Sequence, residues 1–269
     1  MAKLDISGTF HRANFDSWIA KTAVATRKTL GQVLREQSGL LARDTIALTP
    51  PFAGAPDLTN SFASDRKVGR SAVARDIRQI YATTATLFSY ASGSGADDPQ
   101  AAGKAAVKLA KTGDAAALHA LLKRLNVVHF NEAALVSPEP DPAIHQNSRN
   151  ARGRVRYVKP RQIVTSSASL NRYIKAKTDN VGRHKKGWDP QDPRFSPKGL
   201  PVWLSGQRTR ALLANRTDDK SDPYFRLSNT QPGIAGQNAA ISIARLALAN
   251  RQRKMENALR AKMRGAWKR

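Results

Sequence analysis

The chain has 269 residues, enough to bury a substantial core in one large domain or two small ones. It contains no cysteine, which excludes disulfides and thiolate metal sites, and no run of the roughly 18 apolar residues that a membrane-spanning helix needs. Lys and Arg number 45 against 20 Asp and Glu, so nucleic acid, an acidic protein or an anionic membrane surface are the classes of partner that the net charge of +25 attracts.

The positive charge is concentrated in the second half of the chain. Residues 1–136 carry 17 Lys and Arg against 11 Asp and Glu, whereas residues 137–269 carry 28 against 9. Contact with a polyanion is therefore expected from the second half. The first ten residues, MAKLDISGTF, lack the apolar core of a signal peptide, which predicts synthesis in the cytoplasm.

The N-terminal region predicts one long helix. Apolar residues between Phe15 and Leu48 recur at close to the 3.6-residue spacing of a single helix face. Asn14 or Asp16 is the predicted N-cap, and the Pro50-Pro51 pair is the predicted end.

The middle of the chain predicts further short helices. Helical spacing resumes over residues 71–81, and residues 89–100, SYASGSGADDPQ, predict a loop. An Ala-rich pair of helices is predicted over 101–111 and 114–125, with Asp114 as the N-cap of the second.

A segment rich in proline separates the two halves. Residues 137–153 contain three prolines within five positions and no periodicity, which predicts a boundary or an extended arm. Residues 137–150 of this arm are expected to become ordered only by contact with another subunit. Residues 154–165 alternate and are β-branched, which predicts one or two strands. A helix then follows Ser167, with an apolar face that runs through Ile174 and Val181 to Trp188.

The C-terminal region predicts a short strand and a long helix. Residues 223–229 predict the strand, and the helix is predicted from Gln237 to Lys268. Its predicted face comprises Ile241, Leu248, Met255, Leu259 and Trp267. The predicted fold class is α+β, with long helices packed on a small β-sheet. The predicted organisation is a mainly helical part (1–136), a Pro-rich arm or linker (137–153) and a basic α+β part (154–269), with one continuous domain as the alternative.

Motifs for catalysis or cofactor binding are weak. Gly103-Lys104 suggests a phosphate loop, but Ala105 stands where Ser or Thr would bind magnesium, and Asp98 stands where the first glycine belongs. Asp218, Asp219 and Asp222 fit a hard-cation site less well than a solvated turn. The five histidines have no metal-ligand spacing, and no nucleophile and base are paired by spacing. No catalytic, cofactor-binding or metal-binding residue is therefore assigned, and a non-enzymatic protein without cofactors is expected.

Clustered cations favour contact with phosphate groups or carboxylates. Such contacts give affinity without sequence specificity, because they involve the nucleic-acid backbone rather than the bases. The candidates are Arg149, Arg152, Arg154, Arg156, Lys159, Arg161, Arg183, Lys185, Lys186, Arg251, Arg253 and Lys254. Arg183, Lys185 and Lys186 are expected to lie on the solvated side of their helix. Trp188 and Trp203 are the candidate packing or assembly anchors, and burial of Trp188 in its own domain is the more frequent role of such a face.

Several segments, in their order, resemble the neck and tail-completion proteins of tailed bacteriophages, which are also called minor tail or head–tail joining proteins. The segments are LLARDTIALTPPFAGAPDLTNSF (40–62), YIKAKTDNVGRHKKGWDP (173–190), LPVWL (200–204) and RLSNTQPGI (226–234), followed by a helix with Arg251, Lys254 and Met255.

The resemblance implies a virion protein at the head–tail neck or at the top of the tail. Its implied partners are copies of itself in a ring of about six or twelve subunits, adjacent connector, portal or tail proteins, and the phage DNA in the lumen, with no membrane. In such a ring, long helices would supply lateral contacts and the cations would face DNA. The alternative function is non-specific nucleic-acid binding by the basic second half.

Overall fold

The computed structural model describes residues 12–52, 62–131, 133–150, 155, 159–188, 199–204, 212–215, 225–228 and 236–266. The helices are α1 (Arg12–Thr26), α2 (Leu30–Leu48), α3 (Asp65–Ile80), α4 (Thr84–Ser92), α5 (Pro99–Thr112), α6 (Ala115–Arg124), α7 (Pro142–Asn147), α8 (Ser167–Asp179), α9 (Arg183–Lys186) and α10 (Gly236–Ala266). The strands are β1 (Tyr81–Thr83), β2 (Leu135–Ser137), β3 (Gln162–Val164), β4 (Leu212–Asn215) and β5 (Phe225–Ser228). The helices and the small sheet confirm the predicted α+β class.

The chain divides into two compact units. Unit 1 comprises Met1–Gly69 and Val181–Arg269, and unit 2 comprises Arg70–Asn180. These units do not follow the predicted division at residues 137–153, which lie inside unit 2. The reason is that β2, just before the predicted linker, pairs with β3, just after it.

The predicted long N-terminal helix is in fact two helices. α1 ends at Thr26, and Arg27 adopts a positive φ of 55°. Thr29 then starts α2 with a capping box. Its hydroxyl accepts from the Gln32 N–H at 3.3 Å, and its own N–H donates to the Gln32 side chain at 3.0 Å. The apolar spacing continues across this break, which is why periodicity alone predicted a single helix.

The ends of this helical pair differ in how well they were predicted. α1 already begins at Arg12, so Asn14 and Asp16 are not N-caps and that prediction is wrong. α2 ends at Leu48, as predicted from the Pro50-Pro51 pair.

The core of unit 2 surrounds a three-stranded parallel sheet with the strand order β1-β3-β2. β3 is central and fully buried, and its Ile163 lies opposite Ala82 on one side and Val136 on the other. Leu87 of α4 and Leu118 of α6 pack in the same buried cluster. β3 lies within the predicted strand region of 154–165, whereas β1 and β2, of three residues each, were not predicted.

Gly103 lies inside α5, not in a phosphate loop. α5 begins after Asp98, whose side chain accepts from the Ala101 N–H at 2.9 Å. A Cβ on Gly103 would lie 2.6 Å from the ring of Phe88, so glycine is needed where α4 packs against α5. Helix α6 begins after its predicted N-cap, Asp114. α4 was not predicted: residues 89–92 were assigned to a loop, and residues 84–88 were assigned to no element.

The predicted arm is part of the fold of unit 2 over residues 137–150. Gln162 of β3 accepts from the Asp141 N–H at 2.9 Å and donates to the Glu139 carbonyl at 2.8 Å. The Tyr81 hydroxyl donates to the Asp141 carbonyl at 2.7 Å. The expectation that this segment needs another subunit to become ordered is therefore wrong for these residues, while residues 151–153 lie outside the described part.

In unit 1, α10 packs with α1 and α2. Ile19, Val33 and Met255 form their shared buried cluster. α10 was predicted almost to its bounds. Of its predicted face, Met255 and Leu259 are buried and Leu248 is half-buried, while the side chains of Ile241 and Trp267 lie outside the described residues.

A two-stranded antiparallel sheet of β4 and β5 completes the described elements of unit 1. β5 was predicted and β4 was not. Over the described part of the chain, no helix combines the length and apolar character needed to cross a membrane.

Candidate functional site: the Lys185 cluster and the basic residues

The segment from Val181 to Trp188 is a turn followed by the short helix α9, not the end of α8. Gly182 adopts a φ of 80°, in the left-handed region, and separates the two helices. A Cβ on Gly182 would also lie 2.6 Å from the ring of Trp203. Glycine is therefore required both by the backbone conformation and by the close ring. Because of this turn, the predicted single helix face from Ile174 to Trp188 is wrong.

Trp188 is a packing anchor inside unit 1. It is 1% exposed and belongs to a buried cluster with Ile46 and Ala47 of α2, Phe62 and Leu204. This agrees with burial in its own domain. Its Nε1 has no hydrogen-bond partner in the described part of the chain, so apolar packing holds the ring in place.

Trp203 is the second tryptophan proposed from the sequence as an anchor. It is half-buried and packs against the same cluster. Its Nε1–H donates to the Phe62 carbonyl at 3.2 Å. Trp203 thereby links the segment 199–204 to the chain just before α3.

Lys185 is fully buried, which contradicts its predicted solvated position. Its Nζ lies 2.5 Å from Oδ2 of Asp65, which is 1% exposed, and donates to the Pro51 carbonyl at 3.0 Å. The ammonium also lies 5.0 Å from the ring centroid of Phe62 and 5.3 Å from that of Phe52. We call these five residues the Lys185 cluster. Lys185 is four residues after Val181 and three before Trp188, so helical spacing places it on the apolar side and not among the solvated positions.

Burial is the main influence on the charge of Lys185. It lowers the pKa of the ammonium, and the hydrogen bond and ion pair with Asp65 act in the opposite direction. A buried ammonium with a carboxylate, a carbonyl and two ring faces around it has its hydrogen-bonding and electrostatic needs met internally. The Lys185 cluster is thus a structural tie between α9, the start of α3 and the proline turn after α2.

A second buried ion pair joins α10 to α2. Arg251 donates from Nε and Nη2 to Oδ2 of Asp44, at 2.9 and 2.7 Å, and both side chains are buried. Lys254 lies 3.8 Å from the other oxygen of Asp44. The prediction that Arg251 contacts a polyanion is therefore wrong, because its guanidinium is used within unit 1. Arg253 is exposed and stays a candidate for contact with a polyanion. Lys254 also stays a candidate, because its side chain is exposed and its contact with Asp44 is long.

The other candidate cations are distributed between the two units. In unit 2, Lys159 is exposed, and Arg149 and Arg161 are half-buried. In unit 1, Arg183 is exposed and Lys186 is half-buried. Arg152, Arg154 and Arg156 lie outside the described residues.

A buried Tyr–His–Tyr cluster in unit 2 was not predicted. His145 Nδ1 lies 2.8 Å from the Tyr173 hydroxyl, and the Tyr81 ring packs edge-on against both rings. Burial lowers the pKa of His145 to about 4, with smaller contributions from the positive charges of Arg149 and Lys177. Burial likewise raises the pKa of Tyr81. The imidazole is therefore neutral at physiological pH, as expected of a packed histidine.

The sequence contained one usable signal for the buried ion pairs. Asp44 is three residues after Leu41 and four before Leu48, so it lies on the apolar face of α2. A carboxylate at such a position needs a cationic partner, because an unpaired buried charge is strongly destabilising. Nothing comparable in the sequence identified Asp65 as the partner of Lys185.

No metal centre is found among the residues that the structure describes. Asp218, Asp219 and Asp222 lie outside the described residues, and elsewhere in the described ranges no group of three or more His, Asp or Glu side chains is arranged to hold an ion. Comparison of the chain with protein-family models, with curated proteins and with solved structures finds no match. The resemblance to phage neck proteins therefore stays a prediction that rests on the segments quoted above.

Proposed function

We propose that the protein is a structural component of a tailed-phage virion, without catalytic activity. It would form a ring of about six or twelve copies at the head–tail neck or at the top of the tail, as a tail-completion or head–tail joining subunit. Its neighbours would be connector, portal or tail proteins, and its lumen would hold the phage DNA.

One observation supports this proposal most strongly. The segments that carry the resemblance are far apart in sequence. Unit 1 nevertheless contains the segment 40–62 and all of the quoted residues from 181 onward. Lys185 pairs with Asp65 next to the proline turn, Trp203 donates to Phe62, and Arg251 pairs with Asp44. Segment 40–62 thus contacts segment 200–204 and the helix with Arg251, and Lys185 of segment 173–190 donates to its Pro51 carbonyl, as expected if these segments specify one shared structural module.

The surface of unit 1 also suits lateral assembly. α10 has 31 residues and extends about 46 Å at 1.5 Å per residue. Each of the three helices that pack together in unit 1 has an exposed apolar side chain, namely Val24 on α1, Leu40 on α2 and Leu246 on α10. Single exposed apolar residues are common. Their presence on three neighbouring helices, however, provides apolar groups that a contact between ring subunits could bury.

Non-specific nucleic-acid binding is the second candidate. It is favoured by Lys104, Lys108 and Lys111, which follow an i, i+4, i+7 spacing on α5 and are all exposed. None of the three has an ion pair in the described part of the chain. Such a row of ammonium groups suits contact with phosphates along a nucleic-acid backbone.

The assembly state of the purified full chain tests the proposal. Light scattering coupled to size-exclusion chromatography, followed by cryo-electron microscopy, is expected to show a closed ring of discrete copy number. A monomer that coats DNA, with an affinity that falls steeply as salt is raised, would support the second candidate instead.

A variant pair sharpens this test. Leu246→Asp places a carboxylate on the exposed face of α10 and is expected to reduce ring formation while the far-ultraviolet circular dichroism spectrum is retained. Val202→Asp is the matched control, because Val202 is 87% exposed but lies in the turn of residues 199–204. A ring that persists in Leu246→Asp would exclude this face of α10 as the lateral contact.

A further inference from the structure

A cleft of about 590 Å³ opens in unit 2, beside the end of α6 and the loop that follows it. Its volume lies in the range of roughly 300–1,000 Å³ that is typical of small-molecule sites. The residues used in the argument below are His119, Lys123, Asn126, Val128, Asn131 and Lys159. Of the described residues that line the cleft, none is acidic.

The lining of the cleft includes donors for an anion. Lys123 and Lys159 both line it and are exposed, and neither has an ion pair in the described part of the chain. The Oδ1 of Asn131 accepts from the Ala133 N–H at 2.9 Å, which leaves the amide NH₂ of Asn131 available. Two ammonium groups and an amide donor match the oxygens of a phosphate group.

His119 adds an unsatisfied polar atom at the same place. It lines the cleft, and its Nε2 is shielded from solvent without a hydrogen-bond partner in the described residues. A buried polar atom without a partner is destabilising, and such atoms in folded proteins usually have a reason. Because Nε2 is shielded from solvent, a ligand in the cleft cannot reach it without a rotation of the imidazole.

The lining of the cleft also includes apolar side chains. Val128 is 59% exposed, and Phe130, which also lines the cleft, is buried. Next to Phe130, the rings of Tyr90 and His129 are stacked with centroids 4.3 Å apart. The exposed apolar side chain of Val128 offers a surface on which a planar base can pack.

We propose that this cleft binds a nucleotide unit, with its phosphate on Lys123 and Lys159 and its base against Val128. The site lies wholly within unit 2 and uses none of the unit 1 residues that support the virion role, so the two proposals stand or fall separately. The same chemistry is present in a free nucleotide and in a strand of nucleic acid.

Isothermal titration calorimetry on the full chain at physiological ionic strength tests this proposal. The ligands are adenosine monophosphate, adenosine, inorganic phosphate and a short oligothymidylate. Adenosine monophosphate is expected to bind saturably with one site per chain, and adenosine and phosphate each at least about tenfold more weakly. Absence of saturable binding, or equal affinity for phosphate alone, would overturn the proposal.

Matched variants locate the binding. Lys123→Gln with Lys159→Gln is expected to weaken binding of adenosine monophosphate at least about tenfold. Arg75→Gln with Arg78→Gln removes the same charge from exposed positions on α3 outside the cleft, and is expected to change the affinity less than about twofold. Equal losses in the two double variants would show that net charge, rather than the cleft, attracts the ligand.

A third variant tests the apolar lining independently of the lysines. Val128→Asp introduces a carboxylate at an exposed position of the cleft and is expected to abolish binding of adenosine monophosphate, whereas Val202→Asp leaves it unchanged. Unchanged binding in Val128→Asp would overturn the placement of the base.

The oligothymidylate titration distinguishes the two sources of the ligand. If oligothymidylate binds more tightly than adenosine monophosphate and needs the same two lysines, the natural ligand is a strand of nucleic acid. Tighter binding of adenosine monophosphate identifies a free nucleotide.

Discussion

Lys185→Met is the most direct test of the Lys185 cluster. Methionine keeps an unbranched side chain of similar length but removes the ammonium. Asp65, only 1% exposed, then keeps a buried carboxylate without its cation, and the Pro51 carbonyl loses its donor. Removing one partner of a buried ion pair typically costs about 3–5 kcal/mol of unfolding free energy. At about 2–4 °C per kcal/mol for a protein of this size, the melting temperature of unit 1 is expected to fall by about 6–20 °C.

The second half of the experiment removes both charges. Lys185→Met combined with Asp65→Asn leaves no buried charge, so the double variant is expected to be more stable than Lys185→Met alone by about 2 kcal/mol or more. A double-mutant cycle gives the coupling energy between the two side chains. Lys186→Met is the control: this neighbouring lysine is half-buried and outside the cluster, so its loss is expected to cost less than about 1 kcal/mol.

Tryptophan fluorescence during guanidinium unfolding is a suitable assay. All four tryptophans, at positions 18, 188, 203 and 267, belong to the chain segments of unit 1. The signal therefore reports this unit alone. If Lys185→Met is no more destabilising than Lys186→Met, or if the cycle shows no coupling between Lys185 and Asp65, the structural role assigned to the pair is wrong.

Three further predictions concern packing and pH. Trp188→Ala is expected to cost about 3–5 kcal/mol in the same assay; a loss below about 1 kcal/mol would contradict its burial. Gly182→Ala is expected to destabilise unit 1 by at least about 1 kcal/mol more than Gly199→Ala, since both have positive φ but only a Cβ at Gly182 meets a ring. The pKa of His145 is about 4 in the folded protein and 6.5 in an unfolded chain, so the unfolded state takes up the proton first as pH falls. Unit 2 is therefore expected to lose about 2–3 kcal/mol of stability between pH 6.5 and 4, measured by the near-ultraviolet circular dichroism of its tyrosines during urea unfolding. The loss should shrink in His145→Gln and persist in His129→Gln, whose histidine is exposed; equal pH dependence in the two variants would exclude His145 as its source.

Elements with complete local signals were predictable from the sequence. α6 has an Asp N-cap followed by an apolar face, and α10 keeps its periodicity over its whole length. The capping box at Thr29 was also local, but the apolar spacing on both sides of it favoured a continuous helix. The chain breaks the helix at Arg27, which adopts a positive φ. Nothing in the side chain of arginine indicates that conformation.

Elements that depend on distant partners were not predictable. β1 and β2 have three residues each and exist because both pair with β3, which lies about 80 residues from one and about 27 from the other. Lys185 is in a run of cations typical of an exposed helix face. Its spacing, four residues after Val181 and three before Trp188, indicated the apolar side of a helix, but its carboxylate partner is 120 residues away. The burial of Trp188 was therefore predicted correctly, while the position of Lys185 was not.

The buried ion pairs affect how the net charge should be interpreted. Lys185 with Asp65 and Arg251 with Asp44 each remove one cation and one anion from the surface, so the charge of +25 is unchanged but is shared among fewer exposed groups. Attraction for a polyanion depends on the field of these remaining charges, and does not require any particular one of them. Long-range attraction to DNA should therefore survive the loss of single exposed cations, whereas binding in the cleft at Lys123 and Lys159 should not. Single-site variants can thus separate the electrostatic attraction of the whole chain from recognition at one place on it.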